Sequence, residues 1–491
     1  MRDCKLFING EYCDAAGGQT YESIHTGTGE VVARVAQGGV EDVRRACAAA
    51  QAAYEGEWGK MDAASRGAII RKAAELMLER LPELAEMETL DVGKPITEAS
   101  NIDIPVSASY LKWYGEVCLD NLGETIPLPT DTQVDFSLRQ PYGVVAGIAP
   151  WNFPLFLGIL KIGPALAMGN TVVIKPATIT PMTTLAMGDI FAEAGLPPGA
   201  LNVISGPGGE VGEALCLDKR VQKVFFTGST EVGRRVIHLC AENVTDMSME
   251  LGGKSPNLIF ADADWEQAVA GAVFGILLNN GQNCIAGSRL LVEESIYDDF
   301  VTCVADKFES LRVGLPMATD TQLGSIVSQQ QFDTVMGYIE AGVNEGARIV
   351  AGGASPDPLP HPDGLYIRPT LLADVDNKMW VAQEEIFGPV LVAIPFKDEE
   401  DAIRIANDTP YGLGSGVFTR NGSRAQRVLR ALQSGTVYVN CYNAVYPTSP
   451  FPAWKQSGIG VERGRHGLLE NCRYKNVIMD ISEQPIGWFG G

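Results

Sequence analysis

The stretch Gly143-Val144-Val145-Ala146-Gly147-Ile148-Ala149, then Phe156 to Met168, then Thr171-Val172-Val173-Ile174, decides the fold class of this chain. The first and last segments are apolar without alternation, the pattern of strands buried on both faces. The segment between them has apolar residues at helical spacing and stops at Gly169, a residue suited to a helix C-cap. Strand, helix, strand is the unit of a parallel sheet. Moving outward, Thr183 to Ala194 reads as a second helix ending at Gly195, and Leu201 to Ile204 and Val224 to Phe226 read as further strands. Beyond Gly253 a second alternation begins. Asn257 to Phe260 and Arg289 to Val292 read as strands, and Trp265 to Leu278 and Ile296 to Leu311 as helices. The expected architecture is α/β with two Rossmann-like parallel-sheet domains.

Three segments fall outside this alternation. Ala46 to Met87, rich in Ala, Glu, Leu and Arg, predicts two helices split near Gly56-Glu57-Trp58. Asp131 to Gln140 alternates like a half-buried strand, and Tyr474 to Ile481 is similar near the C-terminus. Neither strand belongs to either sheet, and an unpaired strand needs a partner. They predict a small β oligomerisation subdomain that pairs edges between subunits.

Composition narrows the partners. At 491 residues the chain exceeds what one core supports. The formal net charge of −22 leaves no basic footprint for nucleic acid or an anionic membrane. Tyr142 to Leu160 is uncharged, but Pro150, Trp151, Asn152 and Pro154 interrupt it, so no membrane span is expected. The N-terminus lacks a signal-peptide apolar run. The ten cysteines contain no Cys-x-x-Cys pair, and the four histidines no His-Glu-x-x-His frame. No metal site is expected, and free thiols in a reducing, cytoplasmic compartment are.

One cysteine stands apart. Cys284 lies on a short polar loop between Gly281 and Gly287, after the uncharged run Ala268 to Leu278. Upstream, Met249-Glu250-Leu251-Gly252-Gly253-Lys254 places an isolated carboxylate beside two glycines. A thiol that attacks a carbonyl and a carboxylate that later activates water are the two parts of thiol-acyl chemistry. No Gly-x-Gly-x-x-Gly fingerprint opens a helix. Phe225-Phe226-Thr227-Gly228-Ser229-Thr230 instead reads as a strand running into a helix N-terminus, which holds a phosphate or is an ordinary N-cap. Gly206-Pro207-Gly208-Gly209 is a weaker candidate.

From about Leu6 to Val477 the sequence resembles the aldehyde dehydrogenase superfamily. The matching blocks are Pro150-Trp151-Asn152-Phe153-Pro154, Lys175-Pro176-Ala177, Phe226-Thr227-Gly228-Ser229, Glu250-Leu251-Gly252-Gly253-Lys254, Gly281-Gln282-Asn283-Cys284 and Glu384-Glu385-Ile386-Phe387-Gly388-Pro389-Val390. The resemblance implies NAD(P)⁺-dependent oxidation of an aldehyde to a carboxylic acid. By matching position, Cys284 is the nucleophile and Glu250 activates water on the thioester. Asn152 and the Cys284 N–H hold the oxyanion. The implied cofactor contacts are Pro150, Trp151, Lys175, Thr178, Gly208, Gly228, Ser229, Leu251, Glu385 and Phe387. Lys161 falls near the family's proton path. The implied division is a cofactor-binding domain at 1–122 and 142–252, a catalytic domain at 253–465, and oligomerisation segments at 123–141 and 466–491. A homodimer or homotetramer follows.

Two departures bear on specificity. Thr178 stands where NAD-preferring relatives often carry a glutamate that binds both ribose hydroxyls. Without that carboxylate a 2′-phosphate is not repelled and a hydroxyl can donate to it, so NADP⁺ is expected to serve at least as well as NAD⁺. Phe451-Pro452-Ala453-Trp454 replaces the glycines that many relatives have before an aromatic residue. The substrate tunnel is expected at Phe153, Leu157, Leu160, Asn283, Ile285 and Phe451. Leu160 offers neither an aromatic cage nor an arginine, which favours an uncharged aliphatic or aromatic aldehyde. Two alternatives stay open: release of the thioester to coenzyme A, and a catalytically silent relative that binds without turnover.

Overall fold

The computed structural model describes residues 1–120, 122–484 and 488. Residue 121 of the first expected domain, and 485–487 and 489–491 of the last expected segment, lie outside the described residues.

Val144–Ile148 sits inside an eight-stranded sheet. Five strands run parallel in the order Asp246–Glu250, Val221–Thr227, Val144–Ile148, Thr171–Lys175, Leu201–Val203. Every residue of Val144–Ile148 and Thr171–Lys175 is buried, as their unbroken apolar runs require. The helix Pro154–Ala167 crosses between them and is itself buried at every position, with Pro154 in the first turn where its missing N–H costs nothing. The chain order reverses direction at Val144–Ile148, so a crevice opens between its C-terminal end and that of Val221–Thr227, where ligands bind in open α/β sheets. Leu6–Ile8 and Glu11–Cys13 extend one edge antiparallel. Gly458–Ile459, within the stretch expected for the second domain, returns to pair with the other edge at Met249 and Glu250.

The second sheet has seven strands in the order Arg348–Ala351, Thr370–Ala373, Val390–Phe396, Arg289–Glu293, Pro256–Ile259, Gly414–Phe418, Thr436–Val439. All are parallel except Arg348–Ala351. The segment Leu251 to Ser255 leads directly from the end of Asp246–Glu250 to the start of Pro256–Ile259. The C-terminal edge of the first sheet therefore faces the N-terminal edge of the second. The site forms in that seam.

Two expectations are corrected. The helical region is cut into Val40–Glu55, Glu57–Lys60, Ala63–Glu79 and Leu81–Val92. Asp62 caps the third piece by accepting from the Ser65 N–H at 3.0 Å, and Pro82 opens the fourth. The two stray strands are partners of each other within one chain. Gln133–Pro141 and Cys472–Asp480 pair antiparallel from Pro141↔Cys472 to Gln133↔Asp480, with Thr125–Ile126 as a third strand. Their separation in sequence hid a pairing that no turn announces. Among the described residues no helix is long and apolar enough to cross a membrane, and no cluster of His, Cys, Asp and Glu could hold a metal.

Candidate active site

The helix Trp265–Leu277 ends in a tight turn, Leu278–Gly281, in which Asn279, Asn280 and Gly281 have φ of 53°, 56° and 75°. Asparagine tolerates the left-handed region better than other side-chain-bearing residues, and its amide can secure it there. Asn279 donates to the carbonyls of Asn152 at 2.7 Å and Gln282 at 3.1 Å. Asn280 donates to Ser325 O at 3.0 Å and accepts from the Gly324 N–H at 2.8 Å. Asn152 in turn donates from Nδ2 to Gln282 O at 3.0 Å. These bonds fix the Asn152 loop against the turn that carries Cys284. Downstream, buried Arg289 anchors the next strand by donating to the carbonyls of Lys254, Ile405 and Ala406 and to Asn377 Oδ1.

The link between the sheets passes through the centre of this arrangement. A Cβ at Gly253 would lie 2.3 Å from the Cys284 carbonyl oxygen, and one at Gly252 would lie 2.3 Å from Glu385 Oε2. The paired glycines let the link slip between Cys284 and Glu385. Glu385 Oε1 accepts from the Gly253 N–H at 2.9 Å.

Cys284 is half-buried and lines two cavities. The first, of about 220 Å³, lies in the crevice of the first sheet and is walled by Trp151, Gly228, Ser229, Leu251, Glu385 and Phe387, among others. The Trp151 and Phe387 rings meet edge to face at 5.0 Å. The second, of about 80 Å³, is walled by Phe153, Leu157, Phe274, Asn283, Ile285 and Arg463, among others. Leu157 belongs to both.

Burial dominates the electrostatics. It pushes the Cys284 thiol up to about 12, Glu385 adding to the rise and Arg463 opposing it. It raises Glu250 well above the usual carboxylate range, with nearby Glu462 adding and Arg463 and Lys161 opposing. Glu250 is 5 % exposed and its Oε2 has no hydrogen-bond partner. Glu385 rises to about 7 through burial, against the Gly253 N–H and Lys254. Lys161 donates to Thr227 Oγ1 at 2.7 Å and pairs with Glu462 Oε1 at 3.1 Å, which puts a buried ion pair beside Glu250. Beside the second cavity lies a larger buried set. Lys94 pairs with Asp103 at 2.7 Å and with Glu88 at 3.7 Å, and its Nζ sits 4.2 Å above the Phe153 ring.

The remaining expected site residues divide. Pro150 joins the wall of the first cavity, and Asn152 contributes to that wall as well. Lys175 is buried, donates to Pro176 O at 2.9 Å, and is lowered to about 8 by burial. Thr178 donates its hydroxyl proton to Gly206 O at 2.8 Å, so it has no proton for a 2′-phosphate, which corrects that part of the reading. Gly208 is exposed and opens the turn Gly208–Gly212 with clear space before it. Leu160 and Phe451 line neither cavity. Leu160, on the helix Pro154–Ala167, packs into the core, and Phe451 packs with Ile285, Leu413, Tyr438 and Tyr442. Sequence reading missed Glu462, Arg463 and Gln331, and gave Thr227, though part of a quoted block, no role of its own. Gln331 donates to the carbonyls of Ile386 and Phe387 at 3.0 and 2.9 Å. The adjacent charged pair Glu462-Arg463 beside Gly464 was a visible signal, lost because it reads as an exposed turn.

The sequence profile of the Aldehyde dehydrogenase family matches residues 12–477. The mitochondrial aldehyde dehydrogenase of Homo sapiens is 41 % identical over 484 residues, which cover 98 % of this chain and 92 % of that protein. An NAD⁺ complex of aldehyde dehydrogenase from Bacillus cereus superposes with a TM-score of 0.96 at 40 % identity, covering 98 % of this chain and 97 % of the other. A mutant P. syringae AldA indole-3-acetaldehyde dehydrogenase, in complex with NAD⁺ and IAA, gives a TM-score of 0.95 at 42 % identity, with coverage of 98 % and 97 %. With a thiol and a buried carboxylate close together in the seam between the sheets, and likeness running the length of the fold, this chain belongs to the aldehyde dehydrogenase family.

Proposed function

We propose that the protein oxidises an aldehyde to a carboxylic acid through a covalent adduct on Cys284, with release by water. The observation that carries this reading is the position of Cys284 at the junction of two cavities, one for each reactant. As a thiolate, the Cys284 sulfur bonds to the carbonyl carbon while the C=O π pair moves to oxygen, and the resulting oxyanion lies against the Cys284 N–H and the Asn152 amide. Bound NAD(P)⁺ supplies the hydride acceptor that turns the adduct into a thioester. Glu250 then takes a proton from water, the hydroxide adds to the thioester carbon, and the C–S bond breaks to restore the thiolate. A carboxylate raised by burial is a stronger base than one in water, which suits Glu250 to this step. Lys161 sits where it can steady the Glu250 charge, against the opposing pull of Glu462. The presence of this base favours hydrolysis over transfer to coenzyme A.

The cofactor-side residues fit a dinucleotide. Gly252 leaves room for Glu385, whose carboxylate would hold the nicotinamide ribose, while Gly228 and the helix N-terminus at Ser229 would hold phosphate. Lys175 would bind the adenosine ribose. Lacking a carboxylate at Thr178, the site is open to NADP⁺ as well as NAD⁺. We further infer a homodimer or a tetramer of dimers. Thr436–Val439 and Cys472–Asp480 each leave a sheet edge open, and Tyr474 and Ile478 expose apolar surface beside one of them. Light scattering at micromolar concentration measures it, and a monomer would refute it.

Cys284→Ala and Glu250→Gln test the chemistry. Cys284→Ala is expected to abolish turnover while still binding the dinucleotide. Glu250→Gln is expected to give one burst of reduced cofactor and then stall. Steady turnover by Cys284→Ala ends the covalent reading, and a missing burst in Glu250→Gln moves Glu250 to an earlier step.

A further inference from the structure

The smaller cavity contains one group that the aldehyde chemistry leaves unused. Arg463 is 9 % exposed, lies over the rings of Phe451 at 4.2 Å and Phe156 at 5.3 Å, and has an Nε without a hydrogen-bond partner. Its charge reaches Glu250 and Glu462 and the Tyr110 hydroxyl lies near it, but among the described residues no carboxylate is within ion-pair distance of it. Its neighbour Glu462 is held by Lys161 at 3.1 Å, and Asp103 in the same wall is held by Lys94 at 2.7 Å. A guanidinium cannot shed its charge, so burying it without a counter-ion is costly. Its backbone is also strained, with φ 61° and ψ 171°, a region that residues other than glycine occupy only when their surroundings force them. The rest of the wall is largely apolar, including Phe153, Leu157, Phe274 and Ile285. A short apolar slot with a nucleophile in one wall and an unpaired planar cation in another complements a molecule with a carbonyl at one end and a carboxylate at the other.

We propose that the substrate is a short ω-carboxylated aldehyde, the semialdehyde of a dicarboxylic acid, whose carboxylate binds Arg463 while its carbonyl meets Cys284. This rests on the dehydrogenase reading above. It departs from the uncharged aldehyde favoured by Leu160, because Leu160 packs into the core and does not face the slot. A carboxylate is favoured over a phosphate. One guanidinium can engage a carboxylate bidentately, whereas a dianion among phenylalanines would lack further donors. Arg463 also sits close enough for its charge to oppose the rise of the Cys284 thiol, and an arginine that only supported the nucleophile would act on every aldehyde alike. The two roles give different kinetics.

The measurement is kcat/KM for 5-oxopentanoate and for pentanal, with the wild type, Arg463→Lys and Arg463→Met. The wild type is expected to favour 5-oxopentanoate by at least about 100-fold, because a buried polar group left unpaired by the wrong substrate discriminates strongly. Arg463→Met should bring that ratio near one, with Arg463→Lys between. If the wild type prefers pentanal, or if Arg463→Met slows both substrates alike, the proposal is overturned. Calorimetry of glutarate binding to Cys284→Ala and to the Cys284→Ala, Arg463→Met double variant needs no turnover. At least about 30-fold weaker binding by the double variant is expected, and equal affinity overturns the carboxylate site. A wild type that oxidises no aldehyde, yet whose Cys284→Ala form binds glutarate through Arg463, would sink the dehydrogenase reading and sustain the site.

Discussion

The two cavities that meet at Cys284 are built from different materials. The larger is made largely of loops at the ends of parallel strands, with two glycines bringing backbone against side chain at Gly252 and Gly253. The smaller is made largely of side chains: aromatic rings, Leu157 and Ile285, and one strained arginine, with a buried charge cluster behind the wall. A backbone-lined crevice depends on the fold and tolerates little local change. A side-chain-lined slot can be rewritten one residue at a time. The first should therefore fix the reaction and the second the aldehyde.

The largest break is expected at the glycine that the two halves share. Gly253→Ala would put a Cβ 2.3 Å from the Cys284 carbonyl oxygen, and backbone cannot swing aside as a flexible side chain can. A misplacement of about 1 Å at the reacting atom costs about 100-fold, so kcat should fall at least that far. Iodoacetamide labelling of Cys284 and steady-state kinetics would measure it, and a near-normal kcat would show that the turn gives way freely. A smaller effect, confined to the cofactor side, is expected from Thr178→Glu. The new carboxylate can accept from the ribose diol and repel a 2′-phosphate. A charged hydrogen bond of about 1.5–3 kcal/mol predicts a shift in kcat/KM toward NAD⁺ of about 10- to 150-fold over NADP⁺. An unchanged ratio would mean that another residue chooses.

The smallest effect concerns stability behind the substrate slot. Glu98 accepts from the Asn279 N–H at 3.1 Å, and burial pushes its carboxyl up to about 8 against the pull of Lys94. A carboxyl raised in the folded state contributes stability that is fully present below its ordinary value of 4.5 and is lost as pH rises through about 8. Glu98→Gln removes that loss. Its Tm relative to wild type should rise between pH 6 and pH 9, and a difference constant across that range would refute the assignment.

Sequence made the crevice more legible than the slot, for a physical reason. The crevice is assembled from contiguous blocks such as Pro150 to Pro154 and Glu250 to Lys254, because each loop follows one strand. The parallel runs at Val144–Ile148 and Thr171–Lys175 were equally plain, since burial on both faces leaves no alternation. The slot joins Phe153, Phe274, Asn443 and Arg463 from separate elements, and no local pattern marks a residue that points across a cavity. The pairing of Gln133–Pro141 with Cys472–Asp480 was hidden for the same reason.

The link from Glu250 to Pro256 has a mechanical consequence. It is a covalent tether joining the two sheets beside Cys284, and the Gly458–Ile459 strand clasps the same end of the first sheet. That end of the first sheet is therefore gripped twice, along the chain by the tether and across it by the returning strand, so Glu250 is fixed from both sides.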